Sequence, residues 1–212
     1  TMSSPVDEQV NFTIFTQDIV TEAEVVSDYS VINQTITFEA GETSKSLTVT
    51  VGVDNLVEDD ETFEIRAINI RNQSSDNFTS DMVIAFTPTT NPKAIGTILN
   101  DDQATVTIEA SAQYTESIDG ANASPNSATL TATLHGDVEA GFTVDWTLQD
   151  GDEPNEAISG SDYDFGTGQI SFTGADGDTE TITANFINND VVERDETFKI
   201  SLYQINTGGR NI

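Results

Sequence analysis

Apolar residues recur along this chain with a period of two. Leu47, Val49, Val51 and Val53 alternate with Thr48, Thr50 and Gly52, and Phe63, Ile65 and Ala67 alternate with polar or charged residues, the pattern of half-buried antiparallel strands. The same pattern predicts a strand at residues 10 to 16 with Val10, Phe12 and Ile14 inward, another around Ile36 and Phe38, and a closing strand at residues 94 to 99. Later stretches repeat it around Leu130, Ala132 and Leu134, through Val144, Trp146 and Leu148, at Ile170 and Phe172, through Ile182, Ala184 and Phe186, and through Phe198, Ile200 and Leu202. Threonine is frequent in these stretches, where its β-branch suits a pleated surface.

The strand order is duplicated. Residues 51 to 63, Val-Gly-Val-Asp-Asn-Leu-Val-Glu-Asp-Asp-Glu-Thr-Phe, return as residues 186 to 198, Phe-Ile-Asn-Asn-Asp-Val-Val-Glu-Arg-Asp-Glu-Thr-Phe. Ser27-Asp28-Tyr29 returns as Ser161-Asp162-Tyr163, and the Ala40-Gly41-Glu42 turn has its counterpart at residues 174 to 178. These repeats predict two all-β domains, residues 1–102 and 103–212. The copies differ at their ends. The second has residues 105 to 134 with no counterpart before Val10, and the first has a closing strand with no counterpart after Gly209. Each domain is therefore expected to be truncated at one end: the first lacks its first strands and the second its last. The missing strands are expected from a longer array or from a neighbouring copy bound head to tail. Residues 69 to 94, with an apolar island at Met82, Val83, Ile84 and Phe86, are expected as a long excursion.

Charge narrows the partners. The formal net charge is -30, with 18 acids and 4 bases in residues 1–102 and 19 acids and 3 bases beyond, so both halves would repel phosphate and nucleic acid is not an expected partner. Such a chain lives in salt or collects cations. The absence of cysteine leaves hard cations open and rules out thiolate sites. No apolar run reaches the ~18 residues of a membrane helix, so no direct membrane insertion is expected. Residues 1 to 4 carry neither a basic region nor an apolar signal core and give no address.

With the Asp-Tyr pair, the Phe-x-Ala-Gly-Glu turn, the Glu-x-Asp-Glu-Thr-Phe turn and the Ile-Leu-Asn-Asp-Asp closure in order, the chain resembles tandem Calx-beta domains over nearly all of its length. The resemblance implies two tandem immunoglobulin-like antiparallel β-sandwiches, as found in sodium/calcium exchangers, integrin β4 and long extracellular adhesion proteins. It also implies calcium at one end of each sandwich. The implied ligands of the first domain are Asp28, Asp54, Glu58, Glu61, the carbonyl of Leu56, and Asn100, Asp101 and Asp102 at the joint. Those of the second are Glu116, Asp162, Asn189, Asp190, Glu193 and Glu196. Val53 stands where calcium-binding members have an aspartate, and Asn188 and Asn189 replace acids, so fewer or weaker ions are expected. The chemistry agrees independently, because Ca2+ takes six to eight oxygen ligands with geometric slack and clustered carboxylates repel one another without a cation.

The plainer reading of each acidic turn is a solvated loop in a halophilic or marine protein, with Asp28 and Asp162 only capping turns. Tyr29, Tyr163 and Trp146 read as packing residues, and His135, the single histidine, as exposed and inert. No Gly-x-Ser-x-Gly, P-loop or His-Glu-x-x-His motif is present, so an enzyme is not expected. The expected role is a calcium-binding structural and adhesive repeat of a long extracellular or cell-surface protein, its partners neighbouring repeats and a surface protein or glycan, with calcium stiffening the interdomain joint. The alternatives are a regulatory calcium sensor of a transporter or secreted enzyme, and a strand-exchanging filament subunit.

Overall fold

Strands β1 (Val10–Asp18), β2 (Asn33–Phe38), β4 (Glu61–Asn72) and β5 (Lys93–Ile98) form one antiparallel sheet in the order β2-β1-β4-β5. A computed structural model of the chain describes residues 5, 7–19, 28–72, 93–109, 127–188 and 192–207, the side chains of 70–72 excepted. Its contacts divide into two compact units. Unit 1 comprises Thr1–Asp54 with Asp60–Asn100, and unit 2 comprises Asn55–Asp59 with Asp101–Ile212.

In unit 1, β4 lies between β1 and β5, with Ile14 opposite Ala67 and Phe63 opposite Gly96. That glycine matters: a Cβ there would fall 2.4 Å from the Phe63 ring, so only glycine lets the ring lie across β5. Near Phe12 the β1–β4 ladder slips between Asn11 and Thr13, and Asn69 on the bulged strand has φ 58°, a left-handed conformation that asparagine tolerates better than most residues. The closing strand falls where the alternation predicts it, while β4 runs on to Asn72, into the expected excursion. The apolar island at residues 82 to 86 lies outside the described residues.

One expectation is corrected here. Residues 47 to 53 do not form a ladder strand: Val51 makes an isolated bridge with Tyr29, and Val53 is 98% exposed. The reason is a missing neighbour. In unit 2 the corresponding strand, β11 (Thr179–Asn185), pairs along its whole length with β7 (Ser127–His135), and unit 1 has no equivalent of β7 among the described residues. Leu47 and Val49 keep their half-buried alternation without a ladder partner among the described residues.

Unit 2 is a sandwich. Strands β6 (Thr105–Ile108), β7 and β11 form one sheet in the order β11-β7-β6, and β9 (Phe142–Asp150), β10 (Thr167–Phe172) and β12 (Phe198–Asn206) form the other in the order β10-β9-β12. Ala132, Leu134 and Ile182 from the first sheet pack against Phe142, Val144, Ile170 and Phe172 from the second, as the inward faces of a two-layer fold must. Trp146 is partly buried against the same core, and His135 is exposed at the end of β7, both as the sequence predicts. A short segment of the first acidic turn belongs to this unit: β3 (Leu56–Val57) runs parallel to β8 (Asp137–Val138), the Glu139 N–H donates to the Val57 carbonyl at 2.8 Å, and Val57 is buried in the core. No helix among the described residues is long and apolar enough to cross a membrane.

Unit 1 also buries a charge. Glu64 on β4 is 6% exposed and pairs with Arg66 at 2.6 Å and with Lys93 on β5. The Lys93 hydrogen bond, and then that of Arg66, hold its carboxyl below the ordinary value of 4.5 against the opposing effect of burial. A depressed carboxyl contributes stability that is fully present above its unfolded value and is lost as pH falls through the folded one. Glu64→Gln is therefore expected to cost about 2 kcal/mol at neutral pH and to flatten the loss of stability below pH 4.5. Urea melts of both proteins from pH 7 to pH 3 check this, and parallel acid limbs would contradict it.

Candidate metal centre

The sandwich end in unit 2 is assembled around a tyrosine. After β9 ends at Asp150, the chain makes a tight turn in which the N–H groups of Ser161 and Asp162 donate to the Ile158 carbonyl, at 3.1 and 3.0 Å, and Gly160 takes φ 85°. The Asp162 carboxylate accepts the Ile158 N–H through Oδ2 at 2.7 Å, a local bond that orients the side chain. Next to it, Tyr163 is 1% exposed. Its hydroxyl donates to Oδ1 of Asp150 at 2.7 Å, and that oxygen also accepts the Ser159 N–H at 2.8 Å. Burial, and then the Asp150 carboxylate, push the Tyr163 hydroxyl well above the usual phenol range. The same bond, with the Ser159 amide, holds the Asp150 carboxyl below its ordinary value.

The Tyr163 ring lies 5.6 Å from that of Phe198, which opens β12, and Phe198 in turn meets Phe186 edge-on. Phe198 closes the Glu-Arg-Asp-Glu-Thr-Phe run, so packing it against Tyr163 brings the acidic turn over the Asp162 loop. The result is a triad: oxygens of Asp162, Glu193 and Glu196 lie within 4.8 Å of one another.

The first repeat builds the same arrangement from matching residues. The Ser30 N–H donates to Thr50, the Gly52 N–H to Asp28, and Tyr29 bridges Val51; in the second repeat the Asp164 N–H donates to Asn185, the Ile187 N–H to Asp162, and Tyr163 bridges Phe186. Tyr29 is buried, stacks on Phe63 at 4.4 Å and donates its hydroxyl to Asp18. Burial, and then Asp18, raise it above the usual phenol range. Asp28, Glu58 and Glu61 place their oxygens within 4.8 Å of one another.

Of the residues predicted as ligands, the structure thus groups Asp28, Glu58 and Glu61, and Asp162, Glu193 and Glu196. Asp54, Asp101 and Asp102 join neither triad. Leu56 lies in β3 opposite Asp137, and the Asn100 N–H donates to the Asp60 carboxylate at 3.0 Å. Glu116, Asn189 and Asp190 lie outside the described residues. Sequence reasoning missed Asp18 and Asp150, the carboxylates that receive the tyrosine hydroxyls. Each ends the first strand shared by both repeats, β1 and β9.

Both triads offer hard oxygen donors with neither imidazole nor thiolate, a set suited to Ca2+. In each, three carboxylates supply part of the six to eight oxygens such an ion takes, leaving the rest to second carboxylate oxygens, carbonyls and water.

A family model for the Calx-beta domain matches residues 1–111 and again 100–211. Among solved structures, the chain is similar to the apo-form Calx CBD1 domain, with 26% identity over 39% of this chain and 69% of that one and a TM-score of 0.34. It is also similar to the calcium binding domain CBD12 of CALX1.1, with 18% identity over 94% of this chain and 68% of that one and a TM-score of 0.37. CBD12 from CALX1.2 matches at 18% identity over 96% of this chain and 71% of that one, with a TM-score of 0.38. No curated protein sequence matches at a significant level.

Three like charges held this close repel one another, and dissolved salt screens them, the Debye length shrinking from about 30 Å at 0.01 M to about 10 Å at 0.1 M. In chelator, the melting temperature is expected to rise as sodium chloride is added, and to rise less in a Glu193→Gln, Glu196→Gln variant. Thermal melts across that salt range check this, and identical salt responses would contradict it.

Proposed function

Because the chain belongs to the Calx-beta family, with one match on each half, we propose that it is a tandem calcium-binding module that regulates the protein carrying it in response to calcium. The observation that carries this reading is the recurrence of one carboxylate triad, Asp28, Glu58 and Glu61 in the first repeat and Asp162, Glu193 and Glu196 in the second. Solvated acids placed only for solubility have no reason to converge at matching places twice.

Each triad draws on two stretches far apart in the chain, the Asp-Tyr turn and the acidic run that leads into β4 or β12. An ion shared between them cancels their repulsion and ties them together, so calcium concentration is converted into order at the sandwich end. That is the property a sensor needs. The solved CBD12 domain of CALX1.1 is described as a calcium binding domain, which agrees with the chemistry of the donor set here. The second triad is the more exposed of the two, with Glu193 and Glu196 open to solvent and Glu58 and Glu61 half-buried, so it is the weaker site in this reading.

Titration calorimetry of the metal-free protein with calcium chloride is expected to show saturable binding in two classes. Asp28→Asn with Glu58→Gln and Glu61→Gln removes the tighter class, and Asp162→Asn with Glu193→Gln and Glu196→Gln removes the weaker. At calcium 100-fold above a site's dissociation constant the linkage is about 2.7 kcal/mol, which raises the melting temperature by about 5–10 °C. Absence of heat together with an unchanged melt would overturn the proposal.

A further inference from the structure

We propose that Tyr163 and Asp150, and in the first repeat Tyr29 and Asp18, are positioning pairs for the calcium sites: the tyrosine hydroxyl, bound to its carboxylate, sets where the neighbouring Asp162 or Asp28 stands relative to the two glutamates. The inference rests on the calcium reading above and extends it to residues outside both triads.

The geometry in unit 2 carries the argument. Asp162 reaches the triad from a six-residue turn, residues 158–163, and the Asp150 carboxylate holds that turn at two points through one oxygen, by the Ser159 N–H at 2.8 Å and the Tyr163 hydroxyl at 2.7 Å. A hydroxyl donating to an ionised carboxylate is a charge-assisted bond, roughly twice as strong as a neutral one. Within the turn, Asp162 is further oriented by the Ile158 N–H on its Oδ2. On the other side, the Tyr163 ring packs against Phe198, two residues beyond Glu196. Tyr163 therefore stands between the two halves of the triad, one residue from Asp162, and its hydroxyl limits how the ring and the aspartate shift together.

Packing alone does not account for the hydroxyl. A phenylalanine would fill the same apolar space without bringing a polar group to a residue 1% exposed. Both repeats nevertheless use tyrosine, and both direct its hydroxyl to an aspartate at the end of the preceding shared strand, Asp18 on β1 and Asp150 on β9. The ring contact is also repeated, Tyr29 on Phe63 and Tyr163 on Phe198. What the two repeats share beyond the fold is the triad that this contact assembles. Partners one step removed from a metal's ligands typically set its affinity by about 10–100-fold.

The test uses the full chain, calorimetry with calcium chloride, and melting temperature in chelator as a separate readout of the fold. Each triad is read alone, the second in a background with Glu58→Gln and Glu61→Gln, the first with Glu193→Gln and Glu196→Gln. Tyr163→Phe is expected to weaken calcium at the second triad about tenfold while the melting temperature in chelator changes little. Asp150→Asn, whose side-chain carbonyl still accepts from both the hydroxyl and the Ser159 amide, is expected to retain most of the affinity. Tyr29→Phe carries the same expectation at the first triad and keeps the inference falsifiable if Tyr163→Phe does not fold. Unchanged calcium affinity in the phenylalanine variants overturns the inference and leaves the calcium sites standing. Absence of binding by the parent chain overturns both.

Discussion

The contact between the tyrosine of the Asp-Tyr turn and the phenylalanine that closes the acidic run organises the carboxylate cluster of each repeat. Tyr29 on Phe63 and Tyr163 on Phe198 are aromatic pairs at 4.4 and 5.6 Å, within the range where rings attract beyond their burial alone. Each joins a loop to a strand that pairs with the strand leading into that loop, β4 with β1 and β12 with β9. Because an acid sits immediately before each tyrosine and another two residues before each phenylalanine, closing the aromatic contact closes the carboxylate cluster. The hydrophobic effect assembles what electrostatics alone would drive apart.

Charge is handled in two opposite ways in the same molecule. Glu64, a buried acid on β4, has its charge answered by Arg66 and Lys93 within the protein. The triads instead gather three carboxylates each in a chain of net charge -30. A fold so poor in basic residues has few internal cations to place, and hard ions from solution are the natural counter-charge. In the proposed reading, ion binding and the order of the two acidic turns are thereby linked.

Much of this was legible in the sequence. Period-two alternation located β1, β2, β4 and β5, and β9, β10 and β12 in the second repeat, and the resemblance carried by the duplicated acidic run implied Glu58, Glu61, Glu193 and Glu196. Alternation failed at residues 47 to 53, because it reports which side chains face inward and not whether a neighbouring backbone is there to pair. Asp18 and Asp150 were missed for a different reason: their partners lie 11 and 13 residues away, Tyr29 and Tyr163, across a loop whose path the pattern does not encode. The placement of Leu56 and Val57 beside β8 was equally hidden, since a two-residue strand has no period to detect.

Calcium binding at the triads is tested most directly by a crystal structure of the chain grown with calcium, with diffraction recorded at a wavelength where calcium scatters anomalously. An anomalous peak is expected within the Asp162, Glu193 and Glu196 triad and another within the Asp28, Glu58 and Glu61 triad, each ringed by oxygens at about 2.3–2.6 Å. Ordered triads with no peak, at calcium far above physiological levels, would contradict it.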